Sequence, residues 1–146
     1  MGPMVDEAQR AVVDRHVREA VAAGAEIRCG GTVPEGPGSF YPPTVLVGCT
    51  PDMAVMREET FGPVAAVQVV DSFEDALAAA SISDFGLAGT VLTADLTHAQ
   101  EAWRSLPVGT VTITAVFGGA PGGSATPGPG SGQGFGYGPE FCRNRD

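Results

Sequence analysis

Apolar and polar positions alternate along this chain with two different periods. Val13, Val17, Ala20 and Val21 recur at helical spacing behind Asp6, an N-cap type of residue, with Gln9 at the reciprocal capping-box position. Asp14/Arg18 and Arg15/Glu19 stand four apart elsewhere on that helix, and Gly24 supplies its C′ stop. A short strand over 25–29, a Gly/Pro loop over 30–38 and an extended run over 41–47 follow. Pro42 and Pro43 favour a sheet edge for that run.

A regular rhythm begins at Val64. Residues 64–70 form an apolar strand. Ser72 caps a helix to Ser81 with Asp75 three residues on and Phe73, Ala76, Leu77 and Ala80 inward. Residues 87–92 make a second strand. A helix over 95–106 places Leu96, Ala99, Trp103 and Leu106 on one side and stops at Pro107. Residues 110–116 make a third strand. The order β-α-β-α-β predicts an α/β fold with a parallel sheet and helices on both faces. Beyond Val116, Gly, Pro and Ser dominate. The expected division is a partial α/β domain over 1–116 and a flexible tail over 117–146, the alternative for that tail being a backbone-rich loop at the ligand end of the third strand.

Composition removes several classes of function. The chain has 146 residues, 43% of them apolar, a length suited to one domain. Its net charge of −9 argues against nucleic acid and anionic membranes as partners. All eight basic residues are Arg, so neither a Walker phosphate loop nor a Lys Schiff base is present. Cys29, Cys49 and Cys142 are widely spaced, and the N-terminal residues are not those of a signal peptide, so the expected compartment is the cytoplasm. No stretch approaches the length of a membrane span.

Candidate chemistry is sparse. No GxGxxG or GxSxG occurs. His16 and His98 lie in helical segments without a second ligand at metal spacing, so both are expected at the surface or its boundary and no metal site is expected. None of the three cysteines has a histidine near it in sequence, and structural roles are the simpler reading for each. The segment REETFGPV, Arg57 to Val64, stands out because two adjacent carboxylates precede an aromatic residue and a buried strand. Adjacent residues of an extended segment point to opposite sides, which rules out a glycosidase-like pair. Two readings remain. In one, this is a charged loop with Phe61 in the core. In the other, one Glu faces solvent or an Arg, the second accepts hydrogen bonds from a vicinal diol, and Phe61 makes a flat apolar wall.

Five blocks in order carry a family resemblance: GPMVDEAQRAVVDRHVREAVAAGAEIRCGG, FYPPTVLVGCTPDMAVMREETFGPV, DFGLAGTVLTADL, LPVGTVTI and a weaker SGQGFGYGPE. The chain resembles the C-terminal part of the aldehyde dehydrogenase superfamily, and MREETFGPV is the most specific of its motifs. The resemblance implies an α/β catalytic domain and NAD or NADP as cofactor. It implies that Glu59 binds the nicotinamide ribose and that Phe61 flanks the nicotinamide. It places the nucleophilic Cys, the general-base Glu and the cofactor domain upstream of the matched region, so no catalytic residue is expected here. The chain departs from the family at Ser81 and Thr114, where Asn is usual, and the resemblance degrades after about residue 116. The function implied is part of an NAD(P)-dependent aldehyde dehydrogenase, oxidising an aldehyde to a carboxylic acid when completed and inactive alone. The alternative is a non-catalytic remnant or a binding or scaffold module. Self-association or a partner chain is expected in either case, because parallel strands need both faces covered.

Overall fold

The computed structural model describes residues 1–114. Two compact units divide the chain, Met1–Val69 and Val70–Asp146. In the first, helix α1 (Glu7–Ala22) is followed by strands β1 (Glu26–Cys29) and β2 (Thr44–Val47), a single-turn helix α2 (Ala54–Arg57) and strand β3 (Val64–Val67). In the second, helix α3 (Phe73–Ser81), strand β4 (Ala88–Val91), helix α4 (Leu96–Ser105) and strand β5 (Thr110–Ile113) alternate. The fold is α/β with parallel strand pairs, as the periodicity predicts.

The pairing is not that of one β-α-β-α-β sheet. Strand β3 pairs in parallel with β2, and β2 pairs antiparallel with β1, giving a three-stranded sheet in the order β1-β2-β3. Strands β4 and β5 form a separate parallel pair. The extended run at 41–47 is therefore no edge. Its prolines lie before Thr44, the first paired residue, so they remove no ladder hydrogen bond and β2 can occupy the middle of the sheet. Helix α2 carries no apolar period long enough to announce itself, and the sequence reading missed it.

Capping follows the sequence closely. Asp6 accepts a hydrogen bond from the Gln9 amide at 2.7 Å, Ser72 from that of Asp75 at 3.0 Å, and Asp95 from those of Thr97 and His98 at 2.7 and 3.3 Å. The Asp95 carboxyl is held below its usual range by those helix N–H groups, Thr97 first. The first core lies between α1 and the sheet. Val13, Val17 and Ala20 pack with Tyr41, Leu46 and Met53 in one buried cluster, while Val21 is exposed. In the second unit Ala102, Leu106 and Val108 are buried against Phe73 and Leu77. Leu96 is exposed and Trp103 half-exposed, so the buried side of α4 is centred on Ala102 rather than on Trp103.

Tyr41 is buried, and among the described residues its hydroxyl has no partner at full hydrogen-bond geometry, with the Asp14 carboxylate near enough to act on it. Burial, and then the nearby Asp14 carboxylate, push its pKa up to about 12, with Arg18 opposing. The fold thus favours the neutral phenol. Its stabilisation is fully present below the unfolded-chain value near pH 10 and is lost as pH rises through the folded value. Urea midpoints measured from pH 9 to 12 are expected to fall across that window, and Tyr41→Phe is expected to flatten the fall.

Candidate functional site

The segment Arg57 to Val64 joins α2 to β3 within the first unit. Arg57 closes α2, and Glu58 breaks from it with extended backbone, φ −105° and ψ 150°. That break separates the two carboxylates. The Glu58 carboxylate lies 3.2 Å from His16 Nε2 and 4.0 Å from the Arg15 guanidinium, both on α1. Glu59 is exposed and has no hydrogen-bond or ion-pair partner among the described residues.

His16 is the unexpected member. The sequence places it at the surface or boundary, whereas it is 1% exposed. Its Nδ1 lies 3.0 Å from Thr60 Oγ1, on the same loop as Glu58. Nε2 lies 3.2 Å from the Glu58 carboxylate, which only accepts, and 3.3 Å from the Arg15 guanidinium, which only donates, so each tautomer serves one of the two, and Nδ1 faces a hydroxyl that can serve either role. A buried imidazole is tolerated here because both ring nitrogens have partners. Helical spacing gave one hint: His16 lies three residues after Val13 and four before Ala20, on the buried side of α1.

Gln9 also behaves differently from the sequence expectation. Its amide does not close a capping box. Instead Nε2 donates to the Thr60 carbonyl at 2.9 Å and to the Phe61 carbonyl at 3.4 Å. α1 thus holds the loop at three of four successive residues, Glu58, Thr60 and Phe61.

Phe61 is not in the core. It is 61% exposed, and its φ is +45°, in the left-handed region. For a residue with a Cβ that conformation costs roughly 1–2 kcal/mol. The two carbonyl contacts from Gln9 oppose that cost. An exposed aromatic ring and an exposed carboxylate therefore share one loop fastened from behind.

Other sequence candidates do not join this site. His98 stacks on Phe73 with ring centroids 4.1 Å apart. Cys29 is exposed beside the Pro43 carbonyl and Cys49 is buried, while Cys142 lies outside the described residues, as does the segment from 117 on. Among the described residues no three His, Cys, Asp or Glu side chains gather as a metal site would require, and no helix is long and apolar enough to cross a membrane. A cavity of about 580 Å³ in the second unit is walled by Phe73, Leu77, Phe85, Val91 and Leu106. Its side-chain polar groups are the hydroxyls of Ser83 and Thr90, which gives it no acid or base. Thr114, at the end of β5, has φ +50° and is tied by its hydroxyl to the Thr93 carbonyl at 2.7 Å.

The aldehyde dehydrogenase family model matches residues 1–142. The chain belongs to the aldehyde dehydrogenase family. It is 48% identical over 125 residues to an aldehyde dehydrogenase of Paenarthrobacter nicotinovorans, a match covering 84% of this chain and 27% of that protein. It is 40% identical over 116 residues to the NADP(+) succinate-semialdehyde dehydrogenase of Mycobacterium leprae (strain TN), covering 80% of this chain and 25% of the relative. The crystal structure of lactaldehyde dehydrogenase from Escherichia coli superposes with a TM-score of 0.80 at 38% identity, over 84% of this chain and 26% of that one. The chain thus spans about a quarter of the length of the aldehyde dehydrogenases it matches. The sequence resemblance named the family correctly, and the family match runs on past residue 116.

Proposed function

We propose that this chain supplies the nicotinamide-ribose end of the cofactor site of an NAD(P)-dependent aldehyde dehydrogenase, an enzyme that oxidises an aldehyde to a carboxylic acid. The observation that carries the reading is the asymmetry of the two exposed acids: Glu58 is engaged by α1, whereas Glu59 has no partner among the described residues and shares its loop with an exposed Phe61. A free carboxylate can accept both hydroxyls of a vicinal diol, and an adjacent ring offers the flat apolar surface that a nicotinamide needs. The donor set therefore fits the cofactor. Bound NAD or NADP supplies the hydride acceptor. Glu59 orients the ribose and Phe61 limits the tilt of the attached ring. The nucleophile and the general base come from elements that this quarter of the family's length does not match. Those elements belong to the same polypeptide or to a partner chain, and self-association of exposed apolar surface such as Val69, Ile82 and Leu92 is the other outcome of leaving them out.

The test is a pair of substitutions in the completed enzyme. Glu59→Gln keeps shape and one acceptor but loses charge. A hydrogen bond to a charged group contributes about 1.5–3 kcal/mol, so the cofactor KM is expected to rise on the order of tenfold or more. Glu58→Gln is expected to change it little. Phe61→Ala is a cleaner probe than its sequence context suggests, because the ring is exposed and its loss opens no core cavity. Equal behaviour of Glu59→Gln and wild type would reduce REETFGPV to a charged loop.

A further inference from the structure

We propose that His16 and Gln9 are positioning residues for Glu59 and Phe61: by holding Glu58, Thr60 and the Phe61 carbonyl, they engage one of two adjacent, exposed acids and leave the other unpaired. The inference rests on the reading of Glu59 and Phe61 as cofactor contacts, but its test uses no cofactor.

The geometry is specific. Four successive residues, Glu58 to Phe61, alternate between held and presented groups. The Glu58 carboxylate meets His16 Nε2 at 3.2 Å, and the Thr60 hydroxyl meets Nδ1 at 3.0 Å. The single Gln9 amide takes the carbonyls of Thr60 and Phe61 at 2.9 and 3.4 Å. Glu59 and the Phe61 ring, the groups between and after these anchors, are exposed. Period-two alternation alone would put Glu58 and Glu59 on opposite sides without deciding which is paired. The α1 side chains decide it, because the buried His16 and the Arg15 guanidinium both face the Glu58 carboxylate and, among the described residues, neither pairs with Glu59. The same contacts hold Phe61 in its left-handed conformation, which a loose loop would leave.

None of the peptide N–H groups of Glu59, Thr60 and Phe61 donates to the backbone or side-chain acceptors of the described residues, so the loop is held by these side chains rather than by a ladder. Its local opening can be read by chymotrypsin acting on the full chain under native conditions. Cleavage after Phe61 is compared with cleavage after Phe40, a site in the same unit that His16 does not touch, and both are quantified by mass spectrometry. His16→Leu keeps apolar volume in the buried site and removes both ring contacts. The Phe61-to-Phe40 ratio is expected to rise about two- to tenfold, the fold-change of losing a net hydrogen bond. Gln9→Leu, at a position that is not fully buried, is expected to raise it likewise and decides the matter if His16→Leu does not fold. His16→Asn retains a polar group toward Thr60, and Glu58→Gln retains an acceptor for Nε2–H, so both are expected to stay near the wild-type ratio. An unchanged ratio in both Leu variants overturns the proposal. So does a parallel rise at both sites, which would mean general destabilisation, and so does a wild-type loop already cut as fast as an unfolded chain. Failure of Glu59→Gln to affect the cofactor would remove the cofactor reading while leaving this ratio as measured.

Discussion

Leu46→Ala is expected to lower the stability of the first unit by about 2–5 kcal/mol, the range for emptying a well-packed core position. Leu46 has no exposed surface and sits on the middle strand, with Ile27 and Ala66 as its register partners. Its side chain belongs to the cluster of Val13, Val17, Ala20, Tyr41 and Met53. A cavity there undercuts the face of α1 that anchors Glu58 and Thr60, so the site loosens with the core. Domains are stable by only about 5–15 kcal/mol, so this loss is a large share of the total. Hydrogen exchange of the β2 amides is the suitable readout, because the single Trp belongs to the second unit and does not report on the first. Leu46→Met conserves volume and is expected to cost less than about 1.5 kcal/mol. Equal costs for the two variants would show that Leu46 is not packed as described.

Gly30→Ala is expected to cost a similar amount for a different reason. Gly30 has φ +71°, and a Cβ there would meet the Pro43 carbonyl and lie 2.5 Å from Thr44 Oγ1. The left-handed conformation costs a non-glycine residue roughly 1–2 kcal/mol. Overpacking adds about 1–3 kcal/mol, because backbone cannot swing aside as a side chain can. Thr44 is buried, accepts from the Gly31 amide and donates to the Pro42 carbonyl, both at 2.9 Å. Moving it would strand buried polar groups and separate β1 from β2. Gly36→Ala is the control: its φ is +106°, and a Cβ there meets nothing within 4 Å. Urea midpoints at constant slope are expected to fall much further for Gly30→Ala than for Gly36→Ala. Similar shifts would mean that backbone conformation alone, and no steric contact, sets the cost.

The element boundaries of the second unit were legible, but not its buried faces, since Leu96, Trp103, Ala76 and Ala80, all expected inward, are exposed. The caps at Ser72 and Asp95, the stop at Pro107 and the strands at 88–91 and 110–113 are where local chemistry predicts them, since capping and apolar period act over a few residues. The first unit was legible only in part. Asp6 and Gly24 bound α1 as expected. The single-turn α2 was invisible because one helical turn carries no period. The central place of β2 was misjudged because proline was weighed over the whole extended run, whereas only the paired residues must donate.

By itself the sequence determined the family, the α/β class, the helix caps and the loop that bears the candidate site. These depend on short-range patterns and on five sequence blocks in order, of which MREETFGPV is the most specific. The tertiary structure decided which acid is paired, that Phe61 lies outside the core, that His16 is buried and that the Gln9 side chain serves the loop and not its own helix end. Each of those outcomes depends on a hydrogen bond between residues more than forty positions apart. Periodicity cannot register such a pairing, because it records only which face a residue occupies and not what the opposite element presents to it.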